Sequence, residues 1–205
     1  MDQAALQHHW DAFYRDNHTG CGSGLGSLIS STADYRHLLE NFIRLNRPER
    51  VLDLGCGDWQ STKLVPWREY GMTYLGADVS PFVINRNKAM FASASTEFVV
   101  VSEPADLKTL GRFDLIICKD VLQHTPNCVA SAYLDVFCEI SRTSLITNDA
   151  FPQDRLNNDI KAGDWRPVDI RQTPFRRSSV VLFEYANFEG DRYWIKHVHL
   201  LPGSF

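Results

Sequence analysis

The sequence predicts an α/β fold, a doubly wound, seven-stranded and mostly parallel sheet closed by an antiparallel terminal hairpin and preceded by an N-terminal helical extension. Three observations lead there. Short apolar runs bounded by breakers recur along the chain with helical patterns between them. The first run, Val51, Leu52 and Leu54, is stopped abruptly by Gly55 and Gly57, as a buried parallel strand is when it ends in a ligand-binding turn. The last two runs, SVVLFEYA and RYWIKHVHLL, are joined only by Asn187 to Asp191, where Gly190 suits a hairpin turn. At 205 residues the chain suits one domain, 1–205, long enough to bury ~70% of the surface its unfolded form exposes.

From Asp2 to about Asp16, Leu6, Trp10, Phe13 and Tyr14 recur at three to four residues, the spacing of an amphipathic helix. Its aromatic stripe either packs on the core or closes over a ligand. Gly20 to Gly26 form a Gly-rich loop, a linker or a cover for the site; no Gly-Lys-Ser/Thr follows, so it is not a phosphate-binding P-loop. Ser31 or Thr32 caps a helix running to about Asn46, and residues 1–47 thus form a helical cap. After the glycine turn a short helix is expected to end near Pro66, and a second strand, Met72 to Ala77, ends at Asp78. Pro81 opens a helix carrying Phe82, Val83, Met90 and Phe91, for which Asp78 offers an N-cap. Strand 3 runs from Glu97 to Val101 and strand 4 from Phe113 to Cys118, with Lys119 and Asp120 at the carboxyl end, where open α/β sheets bind ligands. A helix from about Cys128 to Ser141 precedes strand 5, SLITND, which ends at Asn148 and Asp149. The polar connection 150–178 lies over the mouth of the sheet and is expected to build an acceptor pocket, ordered by Trp165, Val168, Ile170 and Phe175.

Composition removes several function classes. The net charge is −4 with acidic and basic residues mixed, which offers no footprint for a nucleic-acid backbone. Cys21, Cys56, Cys118, Cys128 and Cys138 are odd in number and lack Cys-x-x-Cys spacing, so neither a disulfide framework nor a zinc site is indicated. The N-terminus has no basic region followed by an apolar run, and no segment reaches the ~18 apolar residues of a membrane span. A cytoplasmic protein without membrane partners is expected.

The stretch RVLDLGCGDWQS carries the chemistry. Asp53 sits inside an apolar strand, where a carboxylate is costly unless it is paired or hydrogen-bonded. Gln60 stands where a dinucleotide fingerprint needs its third glycine, so that reading fails. The stretch instead resembles motif I of the class I S-adenosylmethionine (SAM) dependent methyltransferases, apolar-apolar-acidic-apolar-Gly-x-Gly. The match departs after Gly57, where many members carry another glycine at the position of Trp59. FDLIICKDVLQHTPN resembles motif IV and its continuation in the small-molecule branch, with Asp120, Leu122, His124 and Asn127 as the matching residues. A terminal antiparallel hairpin is likewise a hallmark of this class I methyltransferase fold. The resemblance implies that SAM is held by Asp53, Gly55, Cys56 and Gly57 after strand 1, Asp78 and Val79 after strand 2, Ser102 and Glu103 after strand 3, and Lys119 at the end of strand 4. Asp78 lies 21 residues beyond Gly57, and its two oxygens suit the ribose diol.

For a hydroxyl acceptor the protein must position the nucleophile and remove its proton. His124, with an ordinary pKa of ~6.5, is the first candidate base, with Asp149 and Asp120 beside it as alternatives. Its competing role is a structural histidine that closes the helix. Asp120, Asn148 and Asp149 also resemble the Mg²⁺ ligands of catechol O-methyltransferases, although the Asn-Asp order is reversed; the expected metal content is none. Pro-Pro-aromatic and Pro-Cys motifs are absent, which disfavours nucleic-acid and amide N- or C5-methylation. Trp165, Arg166 and Arg171 are expected to contact the acceptor, against the alternative of a solvated arginine face. The expected activity is methyl transfer from SAM to a small polar acceptor, at oxygen; a catalytically inactive SAM-binding sensor or partner subunit is the alternative.

Overall fold

The computed structural model describes residues 3–189 and 192–204. The chain divides into two compact units, Met1–Glu103 and Pro104–Phe205.

In the first unit, α1 (Gln3–Arg15) carries the aromatic stripe and α2 (Ala33–Asn46) buries Tyr35, Leu39 and Ile43, one residue per turn on a single face. Thr32 occupies the cap position of α2, but its hydroxyl turns back to donate to the Leu28 carbonyl at 2.8 Å and caps nothing. The strands β1 (Arg50–Leu54), β2 (Thr73–Asp78) and β3 (Thr96–Val100) run parallel in the order β3-β2-β1, with Asp53 opposite Gly76 and Asp78 opposite Val100. Helix α3 (Pro81–Phe91) is capped by Ser80, whose Oγ accepts from the Val83 N–H at 3.3 Å, so the capping role that was the alternative for Asp78 falls to Ser80. The short helix expected after the glycine turn is a single 3-10 turn, Thr62–Leu64. Trp59 adopts a left-handed φ of 59°, a conformation costing a non-glycine residue roughly 1–2 kcal/mol. Its ring lies 5.1–5.3 Å from those of Tyr74, Phe91 and Phe98, and aromatic pairs contribute ~0.5–1.5 kcal/mol each beyond burial, enough to offset the strain. The departure from a glycine-rich turn is thus compensated by core packing.

In the second unit, β4 (Phe113–Lys119) pairs parallel with β5 (Ser141–Asp149), which pairs antiparallel with β7 (Arg192–Pro202), which in turn pairs antiparallel with β6 (Val180–Glu189). The order β4-β5-β7-β6 completes seven strands, the last two forming the expected hairpin. Gly190 and Asp191, the expected turn, lie outside the described residues, as do Met1 and Asp2. Strand β5 begins three residues earlier than its apolar run because α4 (Asn127–Ile140) passes into it without a loop, Ser141 Oγ donating to the Phe137 carbonyl at 2.8 Å. Segment 150–178 contains only one 3-10 turn, Gln153–Arg155, yet it is anchored. Asn157 accepts from the Asp169 N–H at 3.0 Å and donates to the Asp169 and Thr173 carbonyls at 2.8 and 3.0 Å. Among the described residues no helix is long and apolar enough to cross a membrane.

His199, on β7, is 0% exposed, and neither ring nitrogen has a hydrogen-bond partner. Burial pushes its pKa down to about 4, against the pull of Asp169 3.9 Å away and with Arg171 and His197 opposing a further charge. A base with a depressed folded pKa leaves the unfolded chain binding more protons, so its stabilisation is complete above pH ~6.5 and is lost as pH falls towards 4. The difference is about 3 kcal/mol. In urea unfolding at pH 7 and pH 4.5, His199→Phe is expected to lose less stability on acidification than the parent chain by most of that amount.

Candidate functional site

In the first unit the site is built where β1 and β2 end. The Asp53 carboxylate is buried and accepts from Thr62 Oγ1 at 3.0 Å and from the Tyr74 hydroxyl at 2.5 Å, which meets the cost of a charge inside the strand. The N–H groups of Gly55 and Cys56 both donate to the Ala77 carbonyl, at 2.7 and 3.1 Å, fastening the turn to β2. Gly57 has a φ of 51°, donates its N–H to Asp78 Oδ2 at 3.1 Å and accepts from Asn87 Nδ2 at 2.7 Å. Asp78 Oδ1 accepts the Ser80 N–H at 3.0 Å. Burial pushes the Asp78 carboxyl up to about 6, the Ser80 and Gly57 N–H groups restraining the rise. Cys56 is buried and its thiol is pushed well above the ordinary range, so it is a packing residue here and not a nucleophile. Val79, Ser102 and Glu103 are half-buried just past β2 and β3.

Helix α1 and the Gly-rich loop are fastened over this turn. Ser23 Oγ donates to Asp58 Oδ1 at 2.7 Å and accepts the Asp58 N–H at 2.9 Å, and Gln60 Nε2 donates to the Cys21 carbonyl at 2.9 Å. Asp11 accepts from Ser80 Oγ and from the Phe82 N–H. A Cβ on Gly57 would stand 2.2 Å from Ser23 Oγ and 2.9 Å from the Tyr14 hydroxyl, so only glycine leaves room for the loop. Burial, with Asp78 adding, pushes the Tyr14 phenol well above its ordinary value. Asp11, Ser23 and Asp58 escape sequence reading, whereas Tyr14 belongs to the aromatic stripe expected either to pack on the core or to close over a ligand; Asp58 and Gln60 stand where the chain departs from motif I.

In the second unit four charged groups converge where β4 and β5 end. Lys196, on β7 opposite Asp149, places Nζ 2.7 Å from Asp120 Oδ1 and 2.6 Å from Asp149 Oδ1. Lys119 Nζ is 2.5 Å from Asp120 Oδ2, and Trp165 Nε1 donates to Asp149 Oδ2 at 2.9 Å. Burial alone would raise the Asp120 carboxyl, but the two ammonium groups hold it well below the usual carboxylate range. Burial likewise lowers Lys119, while the two carboxylates outweigh burial at Lys196 and raise it. Gln123 bridges to β5: its Oε1 accepts the Asp149 N–H at 2.8 Å and its N–H donates to Asn148 Oδ1 at 3.1 Å.

His124 closes a 3-10 turn, Leu122–His124, beside this cluster. Its Nδ1 is 3.0 Å from the Asp164 carbonyl, which can only accept, so Nδ1 carries the proton and Nε2 the lone pair. Gln123 Nε2, a donor 3.4 Å from Nε2, agrees with that tautomer. Burial lowers the His124 pKa, keeping the ring neutral.

Of the three expected acceptor contacts, Trp165 joins the cluster, whereas Arg166 is corrected. It is 1% exposed and its guanidinium donates to the Leu122 carbonyl, and at 2.9 Å each to the Thr125 carbonyl and Asn127 Oδ1. These groups spend its fork on holding the 122–127 turn. Arg171 is exposed but grips Asp169 with both Nε and Nη2, at 3.0 and 2.7 Å. Sequence reading missed Lys196, Gln123 and Asn187. Asn187, on β6 opposite Trp194, is 4% exposed with Nδ2 unpartnered, and the β6–β7 register places it on the same sheet face as Lys196. Among the described residues no three His, Cys, Asp or Glu are grouped as metal ligands.

A family model described as a methyltransferase domain matches residues 30–190. The ribosomal RNA large subunit methyltransferase F of Pectobacterium carotovorum subsp. carotovorum (strain PC1) is 33% identical over 91 residues, 41% of this chain; the match spans only 28% of that relative. Among solved structures, magnesium protoporphyrin IX methyltransferase from Synechocystis PCC 6803 with bound SAH is similar with a TM-score of 0.61 and 16% identity, over 98% of this chain and 100% of that one. A structure described by the conversion of a disulfide bond into a thioacetal group during echinomycin biosynthesis gives a TM-score of 0.64 and 17% identity, over 96% of this chain and 93% of that one.

Proposed function

The chain belongs to the methyltransferase-domain family, class I and SAM-dependent, and from that membership we propose that it methylates a hydroxyl of a small polar acceptor with His124 as general base. The first unit fits SAM. A side-chain-free turn at Gly55 and Gly57 ends β1, and each Asp78 oxygen, already accepting one backbone N–H, keeps a lone pair for a ribose hydroxyl. Bound there, SAM supplies a methyl group activated on a sulfonium. Asp53, the glycine turn and Asp78 hold and orient it, and the Tyr14–Ser23 segment excludes water.

One observation carries the assignment of the base: the Asp164 carbonyl fixes Nδ1–H and leaves the lone pair on Nε2, which takes the acceptor proton once the acceptor hydroxyl displaces the long 3.4 Å contact from Gln123 Nε2. Neutral at ordinary pH, His124 is ready to accept that proton without first losing one. Trp165, Asp149 and Asn187 provide aromatic and polar contacts suited to a hydroxylated molecule. The likeness to a ribosomal RNA methyltransferase raises RNA as a substrate, but a net charge of −4 without a basic stripe favours a small acceptor in a cytoplasmic setting.

Calorimetry with SAM, then transfer of labelled methyl to a panel of hydroxylated acceptors, tests the reading. His124→Ala is expected to lower kcat roughly 10²–10⁴-fold and to leave the SAM Kd unchanged. Because burial lowers the His124 pKa, the parent rate should hold through the ordinary histidine range and fall only below it. Unchanged turnover in His124→Ala would remove the base, and SAM binding without transfer to any acceptor would favour a sensor.

A further inference from the structure

We propose that the Lys196 ammonium is the resident cation at the ends of β4 and β5, a positioning residue that occupies the place a divalent metal would take and fixes the acceptor side without one. Every carboxylate oxygen of Asp120 and Asp149 has a donor. Asp120 gives Oδ1 to Lys196 and Oδ2 to Lys119; Asp149 gives Oδ1 to Lys196 and Oδ2 to Trp165. Asn148 Oδ1, the third hard donor expected from the sequence, accepts the Gln123 N–H at 3.1 Å. A magnesium ion needs near-octahedral oxygen ligands at ~2.0–2.1 Å, and here the place between Asp120 Oδ1 and Asp149 Oδ1 is filled by the Lys196 ammonium, whose volume and positive charge exclude a second cation. The residues therefore do not fit the catechol-type metal.

The ammonium is built in. Its side chain is 4% exposed and rises from β7 between β5 and β6, and its Nζ is held by two carboxylates, Asp120 and Asp149. With Lys196 present, two carboxylates face two ammonium groups and the cluster is neutral. Without it, two carboxylates retain only Lys119, which leaves a net negative, oxygen-lined gap suited to a hard cation. Through Asp149 the same ammonium sets Trp165, and through Asp120 it orders the turn that leads to His124.

The proposal rests on reading this cluster as the acceptor side, and a metal titration separates the two. Mn²⁺ is titrated into the full chain and followed by electron paramagnetic resonance, for the parent, Lys196→Arg, Lys196→Ala, Lys196→Gln and Lys196→Ala/Asp149→Asn, with folding checked by circular dichroism and SAM calorimetry. The parent and Lys196→Arg are expected to bind no Mn²⁺ at this cluster. Lys196→Ala, or Lys196→Gln if the alanine variant does not fold, is expected to bind one ion per chain over a concentration range in which the parent shows no bound signal, and the added Asp149→Asn to abolish it. Stoichiometric Mn²⁺ binding by the parent that Asp149→Asn removes would overturn the proposal, as would a folded Lys196 variant that binds none. Loss of SAM binding by the parent would instead defeat the methyl-transfer reading, whatever the manganese signal.

Discussion

Asp78→Ala is expected to weaken SAM binding roughly 100-fold while the fold survives. The carboxylate accepts the Gly57 and Ser80 N–H groups, shaping the glycine turn and the start of α3, and in the proposed function its remaining lone pairs take the ribose diol. Hydrogen bonds to a charged group contribute ~1.5–3 kcal/mol each, so losing the ligand-facing pair costs about 3 kcal/mol, and each 1.4 kcal/mol is tenfold in Kd. Asp78→Asn keeps the shape but turns an amide N–H₂ towards a backbone donor, so it should bind little better than alanine. A pH dependence follows from the raised carboxyl. Its protonated form, populated below about pH 6, has a donor where the ligand needs an acceptor, so SAM affinity should fall as pH drops through 6 and be level above it. The free protein moves oppositely: an acid with a raised folded pKa costs stability above that pKa, and the cost is relieved as pH falls from 6 towards 4. Calorimetry at pH 5 and pH 7.5 on the parent and Asp78→Asn measures this. Equal affinities across all four titrations would take Asp78 out of the cofactor site.

The parts of this site that were legible in the sequence are those whose signal is local. The break of an apolar strand at Gly55 and Gly57, and an acid ending the next strand at Asp78, are each written within a few residues of the strand they end. Lys196 is different in kind. In RYWIKHVHLL nothing local marks the lysine between Ile195 and His197 as inward-facing, and only the pairing of β7 with β5 sets Lys196 opposite Asp149. Trp59 violates the glycine pattern because a cluster of rings from three other elements holds it. The Gly-rich loop carries no signal of its destination, since Ser23 and Asp58 meet across a sequence gap that no periodicity spans. Arginines 166 and 171 looked alike in the sequence, yet a long-range turn buries the first and leaves the second exposed.

That contrast makes Arg166→Met the most informative stability test. Its guanidinium satisfies the Leu122 and Thr125 carbonyls and the Asn127 amide oxygen, all on the turn that positions His124. Burial brings its pKa down to about 10, which still leaves it charged at neutral pH. Methionine fills much of the volume but donates nothing, and each buried acceptor left unsatisfied costs ~1–3 kcal/mol. The sum, about 3 kcal/mol or more, should lower Tm by roughly 6–12 °C for a chain of this size. Arg171→Ala, which loses a pair with Asp169 from a side chain 42% exposed, should cost no more than about 1 kcal/mol. Because Asp53, the glycine turn and Asp78, proposed to hold SAM, are not among the partners of this guanidinium, Arg166→Met should leave SAM affinity unchanged and lower kcat through His124, whose Nδ1 partner Asp164 and whose own carbonyl partner Gly163 sit on the same anchored segment. Thermal unfolding beside SAM calorimetry checks both halves. An unchanged Tm with a raised KM for the acceptor would return the guanidinium to the substrate and undo its assignment as the buried clasp of this turn.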